Sequence, residues 1–581
     1  MGNQSSKSNV ENRPCSTCDG AEVYRPNLCY DPSLCRTSTH PCYACNKLEA
    51  VEAQIQDSLT ALRKLAVEHQ KIKTELNFSH SRIINKIPLE IMSRIFQFCT
   101  PALAMDAGIL RFLPSTDILA PLKLGAVCKD WRQIAWSAPE IWTYLSISLH
   151  EDHHPKHRRL IQEWIYRSKA LPLTFSLSQF EFLTGRKKTG DDLSLYYPFL
   201  EELARSSNRW SSVHIDMQTS LMKVLYDNCR DVSLIRDLSL ISISSTEVDE
   251  GIGPLWATEP EPESISIGGL LPVQVNVKWN SITSLTVSGW MTSECIEVIR
   301  NAPMLVICDL RATRLAPHIS PLRPDRPITH GNIRTLHFEG TIKREYFFAT
   351  VALPNLKNFR YKFYVEHGGD YSCSQNDVAA FRGFVTRSGS QLQSLKIDGL
   401  PLTYNELFDL LQAVPSLFDL YLSPKSNRDG FESFTEILIH LGKTQKVPIL
   451  SSGDDHGENS SSAQFFLPHL RSFRCRLTVV IEFPWILVPN VFGPPSEFGK
   501  PHRRPLRTFH VYDNLTEIGP KTIPYDVLLQ IRDLNDAGAK ISYTGSGSID
   551  LLGQALDRLA AGLIPRVCLK FNSHSLVAIS C

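Results

Sequence analysis

A short apolar frame recurs along the C-terminal part of the chain and restricts its fold more than any other feature. An apolar residue is followed three positions later by a second one, after which apolar and polar residues alternate, as in Leu395-Lys396-Ile397. The alternation predicts one strand for each occurrence of the frame. Residues 293–301 and 404–414 predict helices between these strands. The frame starts at Ile282, Leu305, Ile333, Leu356, Leu392, Leu417, Leu470 and Leu506.

The spacing of this frame is that of a repeat protein. Successive frames start 23 to 53 residues apart, and several intervals match the roughly 20–29 residues of a leucine-rich repeat. One strand–helix unit cannot bury its own apolar side, so the units must stack. The asparagine of standard repeats is mostly absent. We therefore predict an irregular, leucine-rich-repeat-like α/β solenoid over residues 149–581.

Charged residues beside these predicted strands are candidates for a protein-binding face. Solenoids bind proteins along the face that their strands form. Taken one at a time, the same residues also fit ordinary solvated positions. They are Arg334, Lys357, Arg360, Lys396, Arg471, Arg474 and Arg507.

Residues 47–81 predict a long amphipathic helix with a coiled-coil seam. They contain neither glycine nor proline, and most positions of a seven-residue frame are apolar. Self-association through this helix, docking to a partner, and folding back onto its own chain all remain open. The frame positions are Leu48, Val51, Ile55, Ser58, Leu62, Leu65, His69, Ile72 and Leu76.

Residues 85–148 contain three apolar-rich segments that predict a small helical unit. The first starts at Ile87-Pro88, where the missing amide of proline costs nothing in the first turn of a helix. The second, residues 122–135, includes Val127-Cys128 and Trp131, and the third is Ala138-Pro139-Glu140-Ile141-Trp142. A unit of this size carries more apolar surface than it can bury itself, which predicts a protein partner.

These segments resemble an F-box, in the arrangement found in mushroom-forming fungi. The resemblance rests on Leu/Ile-Pro-x-Glu-Ile-x-x-x-Ile-Phe, Val-Cys-Lys-x-Trp-Arg-x-Ile-Ala and Ala-Pro-x-Ile-Trp. It implies a three-helix bundle that binds the Skp adaptor and, through it, a cullin ubiquitin ligase. Residues 100–121 form a longer connection than is usual in the family. The implied adaptor-binding residues are Ile87, Pro88, Leu89, Ile91, Ile95, Phe96, Val127, Cys128, Trp131 and Trp142.

Residues 1–46 predict a polar, cysteine-rich and mostly disordered tail with two local signals. Cys15-x-x-Cys18 and Cys42-x-x-Cys45 have the spacing of zinc knuckles, the alternative being unpaired thiols. Gly2 opens a sequence that fits an N-myristoylation site, the alternative being a glycine there by chance. The first signal predicts structural zinc as the only cofactor, and the second predicts weak membrane association.

The composition of the chain and the absence of catalytic motifs restrict the classes of function that we expect. A formal charge of +1 gives no general attraction to nucleic acid, and no apolar run is long enough for a transmembrane helix. Most cysteines outside the tail lie singly in apolar segments, which favours an intracellular protein. Motifs for phosphate loops, nucleophile elbows and zinc proteases are absent. We therefore expect a non-catalytic F-box substrate receptor, with a membrane-tethered repeat scaffold as the alternative.

Overall fold

A computed structural model gives the arrangement of most of the chain, which divides into two compact units, residues 1–92 and 93–581. Each unit is described by itself. The structure describes residues 43–80, 87–100, 119–149, 154–179, 193–243, 254–256, 258–313, 327–340, 345–363, 375–388, 391–399, 402–423, 428–443, 466–477, 483–500, 503–513, 521–545, 550–561, 569–572 and 575–578.

Helices dominate the N-terminal part and then alternate with strands. Three helices of the region that resembles an F-box come before the first strand, and a 3-10 turn at Pro139–Trp142 leads into that strand. The helices are α1 (Tyr43–His80), α2 (Leu89–Phe98), α3 (Ala120–Val127), α4 (Lys129–Ser137), α5 (His154–Arg167), α6 (Tyr197–Ala204), α7 (Thr219–Asp227), α8 (Pro272–Val275), α9 (Thr292–Asn301), α10 (Glu345–Thr350), α11 (Gln375–Ser388), α12 (Tyr404–Gln412), α13 (Arg428–Lys443), α14 (Val488–Phe492), α15 (Tyr525–Asp536) and α16 (Leu551–Ala560).

The strands form one large parallel sheet and two small sheets. Fourteen strands of the second unit pair side by side in chain order, and each pair is parallel. The strands of this main sheet are β1 (Tyr144–Ser148), β2 (Leu173–Ser178), β3 (Trp210–Met217), β4 (Asp237–Ser242), β5 (Ser264–Gly268), β6 (Ser284–Ser288), β7 (Ile307–Thr313), β9 (Thr335–Gly340), β11 (Asn358–Phe363), β12 (Ser394–Asp398), β13 (Asp419–Ser423), β14 (Ser472–Leu477), β15 (Thr508–Asp513) and β17 (Lys540–Thr544). The short strands β8 (Ile328–Thr329) and β10 (Val351–Ala352) pair in parallel, whereas β16 (Lys521–Ile523), β18 (Leu569–Asn572) and β19 (Ser575–Ala578) form an antiparallel sheet.

The predicted alternation of strands and helices is confirmed. Every recurring apolar frame places its second apolar residue on a strand of the main sheet, as Leu395 lies on β12 and Leu420 on β13. The sheet starts earlier than residue 149, because β1 begins at Tyr144 inside the stretch predicted as an F-box. The antiparallel sheet near the C-terminus was not predicted by the repeat pattern.

The main sheet has a buried face and an opposite face, which we call the open face. Side chains of the open face are on the whole more accessible, although Ser176, His214, Ser239 and Asp309 on it are buried. Period-two alternation sends successive side chains to opposite sides of a sheet. On β9 the side chains of Leu336 and Phe338 are buried, while that of His337 between them is half-buried. Adjacent strands pair in register, so each buried position forms a continuous row. One such row is Leu145, Phe175, Val213, Leu238, Ile265, Leu285, Cys308, Leu336, Phe359, Leu395, Leu420, Phe473, Phe509 and Ile541.

Aromatic packing fills the buried side at β9 and β11. Phe348 of α10 lies 5.2 Å, between ring centroids, from both Phe338 of β9 and Phe384 of α11. Aromatic rings bury large areas and gain further from tilted or edge-to-face contacts. Because helices α10 and α11 are fixed to the sheet in this way, the neighbouring open-face residues His337 and Arg360 have a rigid support.

A buried arginine holds together three segments near the C-terminal end of the sheet. The guanidinium of Arg504 donates to the carbonyl oxygens of Leu441 at 3.0 Å, Phe466 at 2.8 Å and Leu467 at 3.1 Å. Its exposed fraction is 8%, and burial lowers the pKa of Arg504 to about 10. Leu467 has a positive φ of 50°, a backbone conformation that costs energy for a residue with a side chain. Arg504 therefore satisfies carbonyls on both sides of a strained backbone position.

Candidate docking surfaces

Helix α2 has one buried and one exposed apolar face. The carbonyl of Pro88 accepts hydrogen bonds from the amides of Ile91 and Met92, both at 3.1 Å, which closes the first turn. Met92 is buried with 2% of its surface exposed, whereas Ile91 is 52% exposed and Ile95 is 42% exposed. Residues four apart lie on the same helix face, so Ile91 and Ile95 form an apolar stripe that faces solvent.

Helices α3 and α4 meet at Cys128, which caps the second of them. The Cys128 sulfur accepts a hydrogen bond from the amide of Trp131 at 3.4 Å. The Trp131 ring lies 5.0 Å, between centroids, from Phe96, which is fully buried. The local structure at Cys128 and Trp131 thus follows from one cap and one aromatic contact.

Trp142 is a core residue and does not form part of an exposed surface. Its indole nitrogen donates to the carbonyl of Ala135 at 2.7 Å. Its ring packs edge-on against Trp164 of α5 with centroids 4.7 Å apart, and only 1% of its surface is exposed. Trp142 therefore links the helical segment to the start of the main sheet.

The residues that the F-box resemblance implies for adaptor binding fall into three groups by exposure. Two of them, Phe96 and Trp142, are buried and can only support a docking surface. Ile87, Cys128 and Trp131 are half-buried. The exposed ones are Pro88, Leu89, Ile91, Ile95 and Val127.

The structure also exposes apolar side chains that the motif does not include. Phe98 continues the stripe of Ile91 and Ile95 and is 80% exposed. Trp136 on α4 is largely exposed, with the Arg167 guanidinium 4.5 Å from its ring centroid. The helical spacing of Phe98 was visible in the sequence. The sequence did not predict an exposed Trp136, because its position fits neither the apolar stripe of helix α4 nor the F-box motif.

On the open face of the main sheet, the side chains of one row change from uncharged to partly charged along the sheet. Its members on the first six strands include no Asp, Glu, Lys or Arg, whereas four of the eight members further along are of these types. In strand order from β1 the row is Ser146, Ser176, His214, Ser239, Ser266, Thr286, Asp309, His337, Arg360, Lys396, Tyr421, Arg474, His510 and Ser542.

Asp309 organises the middle of this row. Its carboxylate accepts from Arg311 at 2.6 Å and lies 2.9 Å from Nδ1 of His337. Burial alone would raise the pKa of Asp309, but its hydrogen bonds and charge contacts with His337 and Arg311 hold that pKa below the usual value. The Asp309 carboxylate thus remains ionised in a buried position.

His214 is expected to make the fold sensitive to mild acid. Its Nδ1 lies 2.9 Å from the Ser239 hydroxyl, and burial lowers the pKa of His214 to about 4. In the unfolded chain a histidine titrates near its ordinary pKa of about 6.5, so the unfolded state binds more protons below that pH. The stability linked to neutral His214 is therefore complete above pH 6.5 and is lost as pH falls towards 4, by about 3 kcal/mol in total.

The measurement is the thermal midpoint of unfolding at pH 7 and pH 4.5 for wild type and His214→Gln. Other groups titrate in both proteins, so the difference between them isolates His214. We expect a smaller fall in the variant. An equal fall in both proteins would mean that His214 is accessible to protons in the folded state.

No metal-binding cluster is found among the described residues. Cys15, Cys18 and Cys42 of the predicted zinc site, and Gly2, lie outside the described residues, while Cys45 lies in α1. Within the described ranges, no group of three or more histidine, cysteine or acidic residues has metal-site geometry. Asp550, close to a short glycine-rich segment, accepts from the amide of Gly553 at 3.0 Å and so caps α16.

The remaining observations concern membranes and known proteins. Over the parts of the chain that the structure describes, every helix is too short or too polar to cross a bilayer. No protein-family model and no curated protein matches the sequence.

Proposed function

We propose that this protein is an F-box substrate receptor of a cullin ubiquitin ligase, with the exposed stripe of α2 as the contact for the Skp adaptor. The observation that carries the proposal is the stripe of Ile91, Ile95 and Phe98, which is apolar and exposed in the segment with the F-box motif. Large exposed apolar side chains in one stripe are typical of a protein interface. The stripe lies where the family resemblance implies that the adaptor binds.

The main sheet is proposed as the substrate-binding part, built as an irregular leucine-rich-repeat-like solenoid. Parallel strands that follow one another in chain order, with helices in most connections, support this class. The open face offers polar and charged side chains from many strands to a second protein. The antiparallel sheet of β16, β18 and β19 is an addition to the repeat pattern.

The proposed mechanism is proximity rather than chemistry within this chain. The F-box fixes the receptor to the adaptor and cullin, and the sheet holds a substrate beside a charged ubiquitin-conjugating enzyme. Tethering raises the effective concentration of substrate lysines near the reactive thioester. This role needs no catalytic residue in the receptor, and intracellular placement follows from it.

Co-expression of the full chain with the Skp adaptor and cullin tests the proposal. We expect the three proteins to elute together from size-exclusion chromatography in near-equal amounts. A folded chain that elutes free of the adaptor at micromolar concentrations of both would overturn the proposal. The competing function, a membrane-tethered scaffold, rests on Gly2 and the N-terminal cysteines, and vesicle flotation of the myristoylated chain tests it separately.

A further inference from the structure

The open face of the main sheet is strongly basic from β9 to β17, although the whole chain has a formal charge of only +1. Residues on this face and residues that immediately precede each strand both contribute charge. From β1 to β7 the acidic residues Asp216, Asp237, Glu263 and Asp309 are nearly balanced by Arg209, Arg236 and Arg311. From β9 to β17 the acidic residues are Glu339, Asp398 and Asp419, whereas the basic ones are Arg334, Lys357, Arg360, Lys362, Lys396, Arg471, Arg474, Arg476, Arg507 and Lys540.

Three of these cations lie in one row at the centre of the basic part. Register pairing places Arg360 beside Lys396, and Tyr421 separates Lys396 from Arg474. Arg474 is paired with Asp419 on the neighbouring strand. Within the described part of the chain, the side chains of Arg360 and Lys396 have neither a hydrogen bond nor an ion pair. We call Arg360, Lys396 and Arg474 the basic row.

The charges of the basic row are close enough to repel one another. Burial lowers the pKa of Lys396 most, the positive charges of Arg474 and Arg360 lower it further, and Asp419 partly compensates. The Nε of Arg474 is buried and without a hydrogen-bond partner among the described residues. An anionic ligand on the open face would relieve this repulsion and provide acceptors for the side-chain donors of Arg360 and Lys396.

We propose that the basic row binds an extended acidic segment of a partner protein. The proposal deepens the proposed receptor function. It rests on that function only in taking the partner protein to be a substrate for ubiquitination. Neighbouring strands are about 4.8 Å apart, and an extended peptide presents same-side residues roughly 6.7 Å apart. Acidic side chains at alternate positions of a peptide lying across β11 to β14 therefore reach successive cations of the row.

The acidic residues of the same surface favour a peptide over a nucleic acid. Asp398 and Asp419 lie on β12 and β13 between the cations, and Glu339 pairs with Lys362 at 2.8 Å. A continuous phosphate backbone would meet these carboxylates. A peptide can instead place its amide groups against them and its acidic side chains against the cations.

Fluorescence anisotropy with the full chain tests this proposal without the adaptor. The labelled probes are a peptide of eight glutamates, a peptide of the same length with alternating phosphoserine and glycine, a peptide of eight lysines as the cationic control, and an eight-nucleotide single-stranded DNA. The variant Arg360→Ser/Lys396→Ser introduces the residue that β1, β2, β4 and β5 carry in the same row, so the fold should be preserved. The control Lys223→Ser/Lys443→Ser removes the same charge from two exposed helical positions away from the open face.

We expect an anionic peptide to bind the wild type and the control equally, and the row variant about 5- to 30-fold more weakly, as befits two partly exposed charge contacts. Phosphopeptide binding that inorganic phosphate displaces, with weak binding of the glutamate peptide, would assign phosphate as the ligand group. The opposite preference would assign carboxylates. The proposal would be overturned if neither anionic peptide bound, or if the row variant and the control lost equal affinity. It would also be overturned if the eight-nucleotide single-stranded DNA bound more tightly than the peptides and its binding depended on the basic row. Since the adaptor is absent, these outcomes are distinct from failure of the receptor function.

A different observation, in helix α1, carries a second inference. The apolar side chains of its predicted seam are largely exposed, with Leu62 at 63%, Leu65 at 61% and Ile72 at 56%. In a parallel two-stranded coiled coil, residues flanking the seam pair between chains five positions apart. This rule places Lys47 opposite Glu52, and Glu68 opposite Lys73, in a second identical helix, so both pairs attract.

We infer that α1 forms a parallel coiled coil with α1 of a second copy of this chain. Sedimentation velocity of the full chain across a 100-fold concentration range tests it. Leu62→Asp/Leu65→Asp places charge in the seam and should weaken the dimer by about 100-fold or more. Val67→Asp is the matched control, because Val67 is 72% exposed but lies outside the seam. A monomer at all concentrations, or equal dimer affinity of the seam variant and wild type, would overturn the inference.

Discussion

The variant Ile91→Asp/Ile95→Lys is expected to reduce affinity for the Skp adaptor by more than about 100-fold. Each isoleucine is about half exposed in the free protein, so its burial would come from the adaptor. Burying one aliphatic side chain contributes about 1.5–3 kcal/mol. Placing a charge in an apolar contact adds a further desolvation cost. The measurement is the dissociation constant by isothermal titration calorimetry with purified adaptor.

The two substitutions are chosen to leave α2 intact. Aspartate near the start of a helix and lysine near its end both suit the helix dipole, and the net charge is unchanged. Val273→Asp/Ile486→Lys is the matched control, since Val273 is 69% exposed and Ile486 is 62% exposed. Equal adaptor affinity of the α2 variant and wild type, with native circular dichroism for both, would exclude this stripe as the adaptor contact.

Sequence predicted the strands of the main sheet from β6 to β15 because their frames start with an aliphatic residue. The same frame also exists earlier, with an aliphatic start at β4, where Ile235 precedes Leu238, and with other residues at its start in β1, β2, β3 and β5. Trp142 precedes Leu145 by three positions, as Trp210 precedes Val213, and all four are buried. A large aromatic ring fills the space that an aliphatic residue fills elsewhere. For β2 and β5 the first position of the frame is a proline, so they lack the apolar start of the frame although their own residues alternate between apolar and polar.

The position of Trp142 also explains why domain boundaries were hard to predict. It closes the segment that resembles an F-box and at the same time provides the first buried residue of the frame at β1. One side chain therefore belongs to both patterns, with Trp164 of α5 as its partner 4.7 Å away. Local sequence cannot place a boundary between two sequence patterns that share a core residue.

The sequence predicted part of the candidate binding surface on the open face but not all of it. Period two alone predicts that Arg360 and Lys396 leave the buried face. Their adjacency depends on the register of strands that are 36 residues apart in the chain, and register is set by stacking rather than by local sequence. Buried polar contacts such as those of Arg504 were not predicted, because their partners are backbone carbonyls that any residue can provide.

Arg504→Met is expected to lower the free energy of unfolding around β14 and β15 by about 3–5 kcal/mol. Methionine nearly preserves the length of the side chain but leaves the carbonyls of Leu441, Phe466 and Leu467 without their donor. Each buried unpaired carbonyl costs about 1–3 kcal/mol, and the removed cost of burying a cation offsets part of the sum. The strained backbone at Leu467 also loses the contacts that hold it.

Hydrogen–deuterium exchange suits this prediction because a long sheet of stacked strands can open in parts. We expect faster exchange in residues 428–443 and 466–477, with little change in β1 to β6. Arg504→Lys should give an intermediate loss, since one ammonium keeps the charge but cannot reach three carbonyls in a fixed fork. Arg507→Met is the matched control, because Arg507 is exposed and surface substitutions usually change stability by less than about 0.5 kcal/mol. Exchange in Arg504→Met that equals that of Arg507→Met would show that the three carbonyls find other donors, and that the buried guanidinium is not what joins these segments.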